Sequence, residues 1–316
     1  MQRDIKVHDA WADRLPKGTR GQITGVPDDD AVVLDAWASE HTGGRIERFP
    51  LRTSADMRLA LGSALLVETR WVHPFTQMPD RLTHTDGPWA DGRPVSRLTR
   101  LTTEFSEIRV VQTGCGPLTD MTVVGEGDVD VHLILAEEHV APERVLAAGA
   151  HAMTADGGVR GDAFTGDHPG PGISVRRHRS FAQQDELWLD TVEFALDAEH
   201  DLLAAAEVFG LRTVSDATRG HFPGIADEPL ALGAANQSLV ARFNARGFEA
   251  AAVTGFGILA AGMPQHEVRL VEASFTRPFA FYAVHRPTGL ILVAGWVAQP
   301  VVCEPQYVGD DGIALY

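Results

Sequence analysis

The chain has 316 residues, 44% of them apolar, enough for a packed core in one large domain or two ordinary ones. Asp and Glu outnumber Lys and Arg by 43 to 27, and the formal charge of -16 argues against nucleic acid or an anionic membrane as partner, since both need net basic patches. Lysine occurs only at Lys6 and Lys17; the arginine bias reads as genome composition, with scattered arginines in solvated surface pairs. Cys115 and Cys303 exclude a disulfide scaffold and a close-spaced thiolate metal site, and leave one bridge open. The opening residues lack the apolar core of a leader peptide, and no segment reaches the roughly 18 apolar residues of a membrane span. On these grounds the chain reads as soluble and cytoplasmic.

Along the chain, elements alternate irregularly, which predicts a mixed α+β fold. Residues 31–41 place Val32, Val33, Ala36, Trp37 and Ser39 on helical spacing after Asp28, Asp29 and Asp30, whose carboxylates suit a helix N-terminus, and Thr42-Gly43-Gly44 ends the helix. The long apolar run 59–71 reads as a mostly buried strand. Strands follow at 108–113 and 121–125. Val129, Val131, Leu133 and Leu135 then alternate with Asp130, His132 and Ile134, a strand with one well-buried face, on which His132 reads as a satisfied side chain rather than a ligand. Residues 142–153 predict a short helix with Pro142 in its first turn. A Gly-, Asp- and Pro-rich loop follows at 157–172, then a strand at 187–196 and an amphipathic helix at 199–209 ended by Gly210. Neither an internal repeat nor a low-complexity tail is present.

Enzyme chemistry finds little support in the residue pattern. The 13 histidines form neither His-x-His nor His-Glu-x-x-His, and His84, in Leu82-Thr83-His84-Thr85-Asp86-Gly87, supplies one ligand at most, so no metal is expected. No Gly-x-Ser-x-Gly elbow follows a strand. Gly255-Phe256-Gly257 lacks the third glycine and the strand–helix–strand setting of a dinucleotide loop. Asp310 and Asp311 read as part of a solvated tail. The chain is therefore expected to have no catalytic residues and no cofactor.

The most informative stretch is Ala245-Arg246-Gly247-Phe248-Glu249-Ala250-Ala251-Ala252-Val253-Thr254, followed by Phe275-Thr276-Arg277-Pro278-Phe279-Ala280-Phe281. Ten of the eighteen residues 245–262 are Ala or Gly, small enough for the segment to slide between existing strands. On composition alone the segment reads as an Ala/Gly-rich surface linker.

Five segments, in order, resemble the serpins. Leu34-Asp35-Ala36-Trp37-Ala38 with Thr42-Gly43-Gly44-Arg45-Ile46 is similar to the family's helix-F signature. Ala64-Leu65 with Trp71-Val72-His73-Pro74-Phe75 resembles a strand of sheet A. Val192-Glu193-Phe194, Asp201-Leu202-Leu203 and Phe209-Gly210-Leu211 lead to Gly220-His221-Phe222-Pro223-Gly224-Ile225, which stands where the family carries an Asp-Phe-Ser-Gly-Ile turn. Pro278-Phe279, Thr288-Gly289, Ile291-Leu292 and Gly295-Trp296-Val297 with Pro300 match the C-terminal strand pair, and the alanine-rich segment resembles the hinge of a reactive loop.

The resemblance implies a serpin-like α+β fold, with mixed sheets, surrounding helices and an exposed reactive loop. It is to a short, bacterial-type member: a single domain over 1–300 without the family's early helices, and a tail at 301–316. By family habit such a protein is extracellular. The implied activity is inhibition of a serine protease, which cleaves the loop and is trapped as the loop inserts as an extra strand and releases the strain stored in the fold. The hinge carries over to Gly247, Phe248, Glu249, Ala250, Ala251, Ala252, Val253 and Thr254. Family spacing puts the scissile bond at Ala261-Gly262, with Arg269-Leu270 as the alternative, and residues 253–271 are expected to be exposed loop. This chain has Ser63 at the family's strand Asn, Ala245 at the hinge Glu, and Phe248 where inhibitory members carry Thr or Ser. Overpacking by that ring predicts a cost of about 1 to 3 kcal/mol on insertion, so the expectation is cleavage as substrate with little trapping. The alternative is a noninhibitory binding or scaffold protein of the same fold.

Overall fold

The computed structural model describes residues 5–54, 57, 67–83, 87–154, 157–248, 266–303, 306–307 and 314–315. Ser63, Ala64, Leu65 and His84 lie outside them, as do Asp310 and Asp311. The chain divides into two compact units, one formed by 1–66 with 196–240 and the other by 67–195 with 241–316.

In the first unit, α1 (Asp9–Ala12) is a single turn and α2 (Pro27–His41) is the principal helix. Proline at the start of α2 forfeits an amide that has no intrahelical partner there. Buried Asp30 accepts hydrogen bonds from Thr24 N (2.6 Å) and Gly25 N (3.1 Å). Burial alone would push its carboxyl up, but these bonds and the Thr24 and Thr53 hydroxyls hold it below the usual carboxylate range. Thr42 ends the helix, its hydroxyl donating to Ala38 O at 2.7 Å and accepting from Ile46 N at 2.9 Å. Ala38, Ile46, Phe49 and Leu51 then form one small core, and Ile5, Ile225, Ala226 and Leu230 another.

The second unit is built of strands: β1 (Thr69–Arg70), β2 (Thr76–Asp80), β3 (Val95–Thr102), β4 (Ile108–Thr113), β5 (Gly116–Val123) and β6 (Val129–Leu135). Helix α3 (Pro142–Thr154) and β7 (Val159–Arg160) follow, then β8 (Ile173–Ser180) and β9 (Glu186–Val192). β10 (Phe194–Asp201) and β11 (Asn236–Phe243) carry the chain across the unit boundaries. β12 (Gly247–Phe248), β13 (His266–Ser274), β14 (Phe279–His285) and β15 (Leu290–Val297) complete the unit, with a small pair β16 (Gln306–Tyr307) and β17 (Ala314–Leu315).

These strands form a six-stranded sheet in the order β15-β14-β6-β5-β4-β7, a five-stranded sheet β2-β3-β9-β13-β8 and a four-stranded sheet β1-β12-β11-β10. The five-stranded sheet is mixed, since β13 runs parallel to β9 and antiparallel to β8. Helix α3 covers one face of the six-stranded sheet. Gly149 permits this approach: a Cβ there would stand 2.6 Å from the Tyr282 hydroxyl oxygen. That hydroxyl donates to Leu146 O at 2.5 Å, and burial pushes its pKa up to about 12. His132 is satisfied as its alternation suggests, its Nδ1 lying 2.9 Å from Asp120 Oδ1 and 3.2 Å from Thr122 Oγ1.

Two elements depart from the sequence reading. Residues 199–209 are not a helix. β10 runs on to Asp201, next to β11 in its sheet, and a series of hydrogen-bonded turns follows to Gly210 (φ 68°). Strand pairing here overrides helix propensity, and Val208 is left 81% exposed. Strand β13 begins at His266, so the latter part of the expected 253–271 loop is sheet. The free thiols of Cys115 and Cys303 close the question of a bridge.

Candidate functional site

The candidate site lies where β12 sits between β1 and β11 in the four-stranded sheet. After Phe243 the chain reverses through Asn244, Ala245 and Arg246. Asn244 organises the reversal: its side-chain oxygen accepts from Arg246 N at 2.9 Å and Gly247 N at 3.2 Å, and its backbone N–H donates to Gly247 O at 3.0 Å. An asparagine side chain that mimics a backbone acceptor is a common turn-forming device. The reversal lays Gly247 opposite Arg70, and Phe248 opposite both Thr69 and Phe243.

Trp71 and Phe75 hold the turn from the other side. Trp71 is 1% exposed; its Nε1 donates to Asn244 O at 2.8 Å and its amide to Arg246 O at 2.9 Å. Phe75 N donates to Ala245 O at 2.8 Å. All three carbonyls of the turn are thereby satisfied from one short segment, as buried backbone polar groups require.

Beneath the turn is an aromatic cluster. Phe243 stacks on Phe194 at 5.1 Å with rings 11° apart and lies 4.9 Å from Trp71. Phe281 stands 5.0 Å from Phe194 and 6.0 Å from Phe248. Such offset and tilted pairs each add about 0.5–1.5 kcal/mol beyond their buried area. Phe248 itself is 1% exposed. Its ring thus has a seat next to Phe281, and the steric obstruction expected of it is not what the structure presents.

Two ion pairs brace this region. Gly125, bridged to Trp71, has no room for a side chain, since a Cβ would meet Val129 O at 2.1 Å and Thr69 Oγ1 at 2.2 Å. Asp130 accepts from Gly125 N at 3.1 Å and binds Arg286 in a two-pronged pair at 2.6 and 2.7 Å. Buried Arg100 pairs with Glu107 at 2.6 Å, donates to His73 O, and lies 4.7 Å over the Phe75 ring. Burial pushes the Arg100 guanidinium down and the Glu107 carboxyl up, and their mutual attraction only partly offsets it.

The predicted site residues divide into three groups. Gly247 and Phe248 are in β12. Glu249, Ala250, Ala251, Ala252, Val253, Thr254, Ala261 and Gly262 lie outside the described residues. Arg269 and Leu270 are inside β13, flanked on both sides by β8 and β9. Arg269 N and Nε bond the Asp185 carboxylate at 2.9 and 3.0 Å, and Leu270 is 5% exposed. A protease needs a strand whose backbone edge is open to it, so this conformation withholds Arg269-Leu270 as a cleavage site. Asn244, Asp130 and Arg286 were not singled out from sequence. An Asn directly before a Gly-containing turn was the only local signal for them.

Among the described residues no cluster of His, Cys, Asp or Glu has metal-binding geometry, and no helix is long and apolar enough to cross a membrane.

This architecture is the serpin fold. A serpin from the trematode Schistosoma haematobium superposes with a TM-score of 0.62 at 14% identity, covering 95% of this chain and 72% of that one. Human thyroxine-binding globulin gives 0.62 at 14% identity over 95% and 73%, and uncleaved ovalbumin 0.61 at 14% over 95% and 75%. In sequence, residues 176–300 match the family model "Serpin (serine protease inhibitor)". Plasminogen activator inhibitor 1 of Sus scrofa is 23% identical over 314 residues, which span 95% of this chain and 70% of that protein. The chain thus shares the serpin fold, and residues 176–300 are similar in sequence to the serpin family.

Proposed function

We propose that the chain inhibits serine proteases by offering residues 249–265 as bait and, once cut, inserting them as a strand between β1 and β11. The observation that carries this reading is β12, because Gly247 and Phe248 already pair with β1 on one side and β11 on the other. In chain order the next residues are Glu249 and three alanines, side chains small enough to continue the strand.

On this reading the protease serine attacks the carbonyl of Ala261. An ester to Ala261 forms, the Ala261-Gly262 peptide bond breaks, and the Gly262 amine leaves. Insertion then carries the acylated enzyme away before water completes hydrolysis, so the protein's contribution is mechanical and none of its own residues is catalytic. Residues 1–300 act as one functional domain. A small residue before the bond suits elastase-like or subtilisin-like enzymes. Plasminogen activator inhibitor 1, by its name an inhibitor, fits the same general class of activity.

A second reading is a noninhibitory binding or scaffold protein that proteases merely cleave. Thyroxine-binding globulin, by its name a binding protein, shares the fold and fits this reading. One experiment separates the two: incubation with elastase-like, subtilisin-like and trypsin-like proteases, followed by a denaturing gel, fragment mass analysis and melting curves. A band resistant to denaturant, joining protease to chain at Ala261, establishes inhibition. Cleavage without such a band, and with no rise in melting temperature, establishes the second reading.

A further inference from the structure

We propose that the outer edge of β8 is a docking site for an extended acidic peptide, which adds to the five-stranded sheet as a sixth strand. β8 is the terminal strand of that sheet, with β13 on its inner side. Register fixes which of its backbone groups face outward. Arg177 lies opposite Arg269, whose amide turns away from β8 to the Asp185 carboxylate at 2.9 Å. Arg177 and Arg269 are therefore a pair without mutual hydrogen bonds, and in an antiparallel ladder the backbone groups of such residues point away from each other. Every second residue of β8 behaves likewise, and Val175 N indeed turns outward, to Asp167 O at 3.0 Å. The outward amides of Arg177 and Arg179 and the outward carbonyls of Val175, Arg177 and Arg179 have no backbone partner among the described residues. A free run of this length is a template for a further strand.

The side chains along that run select the occupant. Arg177 and Arg179 are exposed and project from the same face, and neither forms an ion pair among the described residues. Arg176 and His178, on the other face, are already occupied by Glu272 at 2.9 Å and Glu186 at 2.7 Å. Two free guanidiniums on an unpaired edge, in a chain of formal charge -16, mark a local reversal of sign. A second copy of β8 across a two-fold axis would set arginines against arginines, which is unfavourable for directly opposed residues. An incoming strand with carboxylates at alternate positions instead places one opposite each guanidinium while its backbone completes the open amides and carbonyls.

The test is fluorescence anisotropy of a labelled octapeptide of alternating Glu and Thr against the whole protein. The residue opposite Arg177 would exchange both backbone bonds with it, so the Glu amides face β8 and the Thr amides face away. Saturable binding is expected. It weakens about tenfold or more when the Glu amides are N-methylated, and stays within about threefold when the Thr amides are methylated instead. Arg177→Glu with Arg179→Glu weakens it by at least the same tenfold, and if that pair lowers the melting temperature, Arg177→Gln with Arg179→Gln serves in its place. Absence of saturable binding, equal affinity for both methylated peptides, or unchanged affinity in the arginine variants would overturn the proposal.

Discussion

Replacing Phe248 by alanine tests whether the start of the candidate loop is held in the sheet. The ring is 1% exposed and 6.0 Å from the ring of Phe281. Truncating a buried phenylalanine to alanine costs about 3–5 kcal/mol, of which roughly 0.5–1.5 kcal/mol reflects the lost ring pair. A phenylalanine in an unseated, exposed segment would change stability by no more than about 0.5 kcal/mol. The two cases differ by several-fold, which urea denaturation followed by far-UV circular dichroism resolves easily. The expected result is a loss of about 3 kcal/mol or more with an unchanged denaturant slope. A loss below about 1 kcal/mol at equal slope would refute the seating of β12. Phe248→Thr should lose stability in the same direction and leave the fraction of trapped protease unchanged. The sequence argued for a gain in trapping, but only because the ring had no evident place to go.

Asp120→Asn is expected to cost about 3–5 kcal/mol, because it removes a buried charge that accepts from Arg109 at 2.8 Å and contacts His132 at 2.9 Å. Burial would raise the Asp120 carboxyl, but His132 and then Arg109 hold it below its ordinary value. A depressed folded-state pKa gives stability that is fully present above the unfolded value near pH 4 and is lost as pH falls through the folded one. Denaturation measured across that acid range should show a steeper slope in the parent than in Asp120→Asn, which keeps the depressed Asp30 carboxyl. Glu107→Ala should cost about 3–5 kcal/mol in the same assay by stranding buried Arg100. Under brief trypsin treatment of native protein, mass spectrometry should find the Arg269-Leu270 bond intact.

Local pattern revealed those elements that local physics decides. Helix α2 is bounded by its acidic first turn and by Thr42 before two glycines in left-handed conformation (φ 58° and 79°). β6 was legible as a strand from its alternation, although burial is not confined to one face, since Asp130 and Ile134 are buried along with Val131, Leu133 and Leu135, and β4 was legible to the residue. Residues 199–209 misled because their helical spacing is real but β10 already has a neighbour in β11, a pairing that sequence neighbours cannot announce. The site was only half legible. The smallness of Gly247 can be read from sequence, whereas the seat of Phe248 depends on Phe281 and the satisfaction of the turn on Trp71, both distant in sequence. Ion pairs such as Asp130 with Arg286, 156 positions apart, leave no periodic trace.

The placement of both anchors bears on why cleavage would matter to the proposed mechanism. On the near side the chain is committed at β12, and on the far side at β13, which is bonded to β8 along eight residue pairs and to β9 along five. A segment tethered at both ends can extend the strand begun by β12 only as far as residues 249–265 reach before it must draw residues from the other tether. Peeling β13 away would break ladder hydrogen bonds on two sides and expose Val268, Leu270 and Val271, all buried. At about 25 cal/mol per Å² of apolar surface, uncovering these three side chains opposes spontaneous insertion in the intact chain. A cut between the anchors removes that opposition without disturbing either one. The small segment beyond Phe248 then gains a complete set of neighbours at no cost to the five-stranded sheet, so on this reading β8, by securing β13, helps keep the uncut loop from inserting prematurely.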